Sequence, residues 1–211
     1  MTKATTPRGR IDKRQAILDV AFTVFARRGY DRACVQEIAD EAGVAKPTVY
    51  NHLRDKETLF RNTVIAAADE IGAQCARAIE PLRGIDGDPG PTLRTVARKL
   101  LQICAGPRAH ALRSLTYAEA STFPDLILTV QERTSLHLAE ALADRLARLA
   151  LDGRLRGTDP ERAAEQFLSL LTGPLEARSR LGTRKVTARE LDAIADAATD
   201  TFLRAYAPET L

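Results

Sequence analysis

The densest run of groups able to make specific polar contacts is Lys46-Pro47-Thr48-Val49-Tyr50-Asn51-His52-Leu53, followed by Arg54 and Lys56. An ammonium, hydroxyls, an amide and an imidazole are the donors and acceptors that pair with base edges and phosphate oxygens. Spacing decides which of them can reach. On a helix, Val49 and Leu53 share one face, and Pro47, Thr48, Asn51 and Arg54 then point the other way. Tyr50 and His52 fall on the flanks and Lys46 at the start. Pro47 suits a first turn, where its missing N–H removes no hydrogen bond. Lys56 falls in the first turn of the next helix, where a cation opposes the helix dipole by roughly 0.3–1 kcal/mol. A nearby phosphate would reverse that sign.

Other chemistries find little support. Cys104 and His110 are separated by Gly106-Pro107 and, even on an unbroken helix, would stand about 240° apart, so they do not form a nucleophile–base pair. His52, His110 and His137 lack metal-binding spacing, Cys34, Cys75 and Cys104 lack a C-x-x-C pair, and no Gly-rich phosphate loop occurs. Neither an enzyme, a metal site nor a cofactor is expected. Cys75 or Cys104 could serve a redox sensor, against the commoner fate of a buried structural thiol. The N-terminus lacks an apolar signal segment, and no apolar run approaches 18 residues. The expectation is a soluble cytoplasmic chain with no membrane partner.

The elements that position the polar run come from periodicity. Val35, Ile38, Ala39 and Ala42 form one helical stripe. Gly43 follows where a helix end favours a left-handed residue, and Val44 turns inward. A short helix, a tight turn and a second short helix result. The net charge is +3, and residues 1–60 carry the whole surplus, with 11 Lys and Arg against 8 Asp and Glu. Lys3, Arg8, Arg10, Lys13 and Arg14 face only Asp12, a basic N-terminal arm suited to phosphates or a minor groove, or else a solvated terminus. Past Phe60, Pro and Gly punctuate helices expected at about 56–79, 92–105, 108–122, 124–151, 159–181 and 187–206. The fold class is all-α, about nine helices in two parts, residues 1–55 and 56–211.

The stretch from about Ile17 to Phe60 resembles the DNA-binding domain of the TetR family of transcriptional regulators. The likeness runs through Ala16-Ile17-Leu18, Ala21-Phe22, Phe25-Ala26, Gly29-Tyr30, Val35, Ile38-Ala39, Ala42-Gly43-Val44, Pro47-Thr48-Val49-Tyr50, His52, Lys56-Glu57 and Leu59-Phe60. It implies base contacts from Lys46, Pro47 and Thr48 and phosphate contacts from Tyr50, His52 and Lys56; Asn51 joins them from its outward position. Three departures stand out. Ala33 and Cys34 replace the usual hydroxyl residues, removing a helix cap of about 1 kcal/mol. Ala45 stands where Ser is common, and Leu53 replaces the usual Phe.

The resemblance implies two tasks for residues 56–211. One is dimerisation through the last two helices, with Phe167, Leu168, Leu171, Leu191, Ile194, Ala198 and Phe202 as candidates; the alternative is that both faces pack within one chain. The other is small-molecule binding among the middle helices, with Leu101, Cys104, Leu115, Tyr117, Glu119, Phe123 and His137 as candidates against ordinary core or surface roles. The expected function is a homodimeric repressor that binds a pseudo-palindromic double-stranded DNA operator through the major groove and is released by an effector. The competing reading is the same fold acting through a protein partner.

Overall fold

A computed structural model describes residues 7–157, 159–180 and 182–208, with the side chains of residues 7–12 and His52 outside the description. Among the described residues every regular element is helical. The order is α1 (Pro7–Arg28), α2 (Val35–Glu41), α3 (Lys46–Leu53), α4 (Lys56–Ile79), a 3-10 turn (Glu80–Leu82), α5 (Gly90–Cys104), α6 (Pro107–Ala118), α7 (Pro124–Gln131), a π-turn (Glu132–Leu136), α8 (His137–Leu151), α9 (Pro160–Ser179) and α10 (Ala188–Tyr206). Since α7 and α8 are joined through the π-turn, the ten α-segments make nine helices among the described residues, the expected all-α architecture.

Two compact units divide the chain. One holds residues up to Glu70 together with Ala111–Gln131; the other holds Ile71–His110 and Glu132–Leu211. Compactness therefore cuts α4 after Glu70, because residues 56–70 of α4 and all of α7 pack with the N-terminal helices.

In the first unit α1 buries Ile17, Leu18, Ala21, Phe22, Val24 and Phe25. This broad stripe lets one helix support several others. Phe25, Tyr30, Phe60 and Phe123 form an aromatic cluster. The Phe60 ring lies 5.0 Å from both Phe25 and Phe123, and Phe123 meets Tyr30 edge-on at 4.8 Å. The helix expected over 108–122 stops at Ala118. Pro124 opens α7 and pushes the preceding residue out of the helical region, and the amide of Phe123 donates to the Glu119 carbonyl at 2.8 Å. Of the expected basic arm, Lys13 and Arg14 lie inside α1, which already begins at Pro7, and Arg14 donates to Asn62 Oδ1 at 2.7 Å. The arm is thus shorter than expected; Lys3 and the side chains of Arg8 and Arg10 lie outside the described residues.

In the second unit α10 packs on α5 and α9, and α8 packs on α9. The rings of Phe167 and Phe202 meet at 5.0 Å, Phe202 stacks on Tyr206 at 4.6 Å, and the Tyr206 hydroxyl donates to Gln166 Oε1 at 2.7 Å. Arg98 pairs with Asp192 at 3.3 Å and with Asp196 at 2.8 Å, and Arg94 pairs with Asp200. These pairs are too exposed to stabilise much. Asp159 caps α9 through the amides of Glu161 and Arg162, and Thr187 and Glu190 form a reciprocal capping box on α10.

Six of the seven dimerisation candidates are closed in by their own chain. Phe167, Leu171, Leu191, Ile194, Ala198 and Phe202 are at most 8% exposed within a single chain, and only Leu168 is half-buried. One difference concerns the helix expected to run unbroken from Pro124 to Leu151, which widens into the π-turn at Glu132–Leu136. There α4 approaches so closely that a Cβ on Gly72 would stand 2.2 Å from the Arg133 carbonyl oxygen. Only a residue without a side chain fits.

Candidate nucleic-acid interface

The site is built on a clamp between α1 and α2. Arg27 pairs with Glu37 at 2.7 Å and Glu41 at 2.6 Å, and Arg28 reaches Glu37 at 3.3 Å. Glu41 and then Glu37 raise the Arg27 pKa, while Arg27 lowers that of Glu37. Val35, Ile38 and Ala39 face inward, at most 6% exposed. The chain leaves α2 through Gly43, whose φ of +63° turns it sharply, while the amide of Val44 donates to the Ala39 carbonyl at 3.0 Å. Val44 itself is half-buried.

On α3, Val49 and Leu53 are buried to 1% and 2%, which fixes the inner face. Opposite them Pro47, Tyr50 and Asn51 are exposed, and Lys46 and Thr48 are half-buried. The His52 side chain lies outside the described residues. Eight residues make a rod about 12 Å long, and a major groove about 12 Å wide accepts a helix. Along this rod stand an ammonium, two hydroxyls and an amide that can pair with adenine in bidentate fashion.

Cys34 and Ala45 occupy the N-cap positions of α2 and α3, with no side-chain cap bond at either. The amides of Gln36 and Glu37 nevertheless lower the Cys34 thiol pKa by favouring its thiolate. The start of α4 is better served. Asp55 Oδ1 accepts from the Thr58 amide at 2.6 Å, and that bond holds the Asp55 pKa down.

Lys56 is engaged locally, which the sequence did not foretell. Its Nζ donates to the Asp31 carbonyl at 2.9 Å and stands 4.8 Å above the Tyr30 ring. These partners offset the unfavourable dipole, and an ammonium keeps two further donors for a phosphate. Burial, followed by the nearby carboxylates beginning with Glu57, raises the Tyr30 pKa.

The seven residues expected to line an effector pocket are divided between the units. Leu115, Tyr117, Glu119 and Phe123 belong to the first, and Leu101, Cys104 and His137 to the second. Phe123 is core of the first unit, with Arg61 4.9 Å above its ring. Glu119 Oε1 accepts from the Tyr30 amide at 2.9 Å. Tyr117 and His137 are exposed, the latter with Nδ1 against the Glu132 carbonyl, and Leu101 and Leu115 are buried. A cleft of about 270 Å³ in the second unit is lined instead by Ile71, Gln74, Lys99, Gln102, Ile103 and the 106–109 turn. Among the described residues no group of three or more His, Cys, Asp or Glu could hold a metal ion, and no helix is long and apolar enough to cross a membrane.

Comparison with known proteins bears on the same regions. Residues 17–63 match the model for bacterial regulatory proteins of the tetR family, and residues 91–208 match the C-terminal domain of AefR-like transcriptional repressors. The chain is 30% identical over 172 residues to the HTH-type transcriptional repressor Rv1474c of Mycobacterium tuberculosis, covering 81% of this chain and 83% of that protein. A TetR-family transcriptional regulator from Mesorhizobium loti superposes with a TM-score of 0.86 at 28% identity, over 94% of this chain and 98% of that one. The flavonoid-responsive regulator FrrA superposes with a TM-score of 0.71 at 25% identity, over 94% and 99%.

Proposed function

Because the chain belongs to the TetR family of DNA-binding transcriptional regulators, we propose that it is a homodimeric, effector-released repressor whose α3 reads the major groove. The observation that carries this reading is the division of α3 into an inner face fixed by Val49 and Leu53 and an exposed outer face carrying Pro47, Tyr50 and Asn51. In the assigned roles, Lys46, Pro47, Thr48 and Asn51 meet base edges, and Tyr50, His52 and Lys56 meet phosphates.

One such helix reads too few base pairs for useful selectivity, and a two-fold dimer supplies the second about 34–36 Å away. The partner face is drawn from what the chain leaves uncovered. Leu170, Gly173 and Ala177 on α9 fall on one side, as do Ala193, Ala197 and Thr201 on α10; Leu170 is half-buried and the rest are exposed. Small side chains there permit close helix approach.

The effector reading is supported by the cleft of about 270 Å³ and by the description of FrrA as flavonoid-responsive. Ile71 and Gln74 of α4 line that cleft, and the same helix begins at Lys56 beside the DNA reader. An effector acts here only through its difference in affinity for the DNA-competent and DNA-incompetent shapes.

The test is selection from a random duplex pool, followed by anisotropy titration of the enriched sequence. The expected result is a pseudo-palindrome bound by two chains with strong salt dependence. An unenriched pool, together with a stable complex with another protein, would overturn the reading.

A further inference from the structure

Cys75 on α4 is 3% exposed, and Cys104, the last residue of α5, is half-buried. Their thiols are in hydrogen-bond contact. Ile71 and Gln74, the α4 residues just before Cys75, line the cleft of about 270 Å³ together with Gln102 and Ile103, the α5 residues just before Cys104. Water occupies about 30 Å³ in the liquid, so a hydroperoxide fits that cleft easily. Lys99 and Arg108 add positive charge to its lining. The Cys104 contact, and then burial, push the Cys75 thiol up, and Cys104 is the less buried of the two.

We propose that Cys75 and Cys104 form a redox-modification site at which a hydroperoxide oxidises Cys104 and Cys75 closes an intramolecular disulfide. In the first step the Cys104 thiolate attacks a peroxide oxygen. An S–O bond forms, the O–O bond breaks, and the departing hydroxide takes a proton to become water. Cys104 is oxidised by two electrons to a sulfenic acid as the peroxide is reduced. Cys75 sulfur then attacks Cys104 sulfur, the S–S bond forms, the S–O bond breaks, and hydroxide leaves with the Cys75 proton as a second water. Two thiols and one hydrogen peroxide give one disulfide and two waters. Cys34, exposed and in the other unit, is the internal reference.

The experiment needs no DNA, so it stands apart from the regulatory reading. Full-length protein is treated with hydrogen peroxide, alkylated and mapped without reduction. Trypsin places Cys75 in peptide 62–77 and Cys104 in peptide 100–108. The expected product joins these two peptides, forms undiminished in Cys34→Ser, and is absent from Cys104→Ser. In Cys75→Ser, Cys104 stops at a sulfenic acid that dimedone traps. Cys75→Ala serves if Cys75→Ser fails to fold by circular dichroism. The proposal is overturned if the wild-type protein leaves both thiols reduced while Cys34 is fully oxidised, or if Cys104 is oxidised without being joined to Cys75.

Discussion

Replacing Phe123 by Leu keeps most of the apolar volume and removes the ring, so it isolates what the ring contributes. The ring meets Tyr30 at 4.8 Å and Phe60 at 5.0 Å, and Arg61 stands 4.9 Å above it. Each aromatic pair is worth about 0.5–1.5 kcal/mol beyond burial, and the half-exposed cation–π contact about 0.5–1 kcal/mol. The loss should therefore be about 1.5–4 kcal/mol, with Phe123→Ala reaching about 3–5 kcal/mol because a cavity is added. Urea unfolding followed by far-UV circular dichroism measures it as a fall in midpoint at unchanged slope. At roughly 2–4 °C per kcal/mol for a chain of this size, a 2 kcal/mol loss lowers Tm by about 4–8 °C. The effect must appear without any effector present, since Phe123 acts here as core of the first unit. A Phe123→Leu protein within 0.5 kcal/mol of the parent would refute the reasoning.

Ala45→Ser, at an N-cap with extended backbone and no side-chain acceptor, should stabilise the protein by about 0.5–1 kcal/mol; an unchanged Tm would mean the α3 start is already satisfied. Glu190 has its pKa lowered to about 2 by the Thr187 amide, Arg184 and the Thr187 hydroxyl, from a usual 4.5. Its depressed folded pKa gives stability that is present above about pH 4.5 and lost as pH falls toward 2, so Glu190→Gln should flatten that limb of a pH–stability curve. Lys56→Ala should weaken binding to all duplexes alike and reduce the salt slope by about one, whereas Thr48→Ala should change sequence preference, both read by anisotropy titration. A Lys56→Ala protein with altered preference and intact salt slope would reverse the assignment of those two residues.

Local periodicity made the DNA-reading helices legible. Val35, Ile38 and Ala39 and then Val49 and Leu53 repeat at helical spacing, and all five are buried. Which chain covers an apolar face was not legible in the same way. An apolar stripe shows that a face is covered, but it does not show whose chain covers it. On α10 the Leu191, Ile194, Ala198 and Phe202 stripe is closed by its own chain, and the quieter Ala193, Ala197, Thr201 repeat on another side is what stays open. The contacts of Glu119 and Phe123 were hidden for a related reason, since both touch Tyr30, 89 residues from Glu119, and no local pattern announces such a contact. The π-turn at Glu132–Leu136 has no Pro or Gly to mark it.

At Gly72 the backbone of α4 meets the Arg133 carbonyl with no side chain between them. Sliding or turning α4 about its axis would bring a neighbour's Cβ to the same point, where there is no room. The crossing acts as a stop that resists a screw motion of α4 past residue 72.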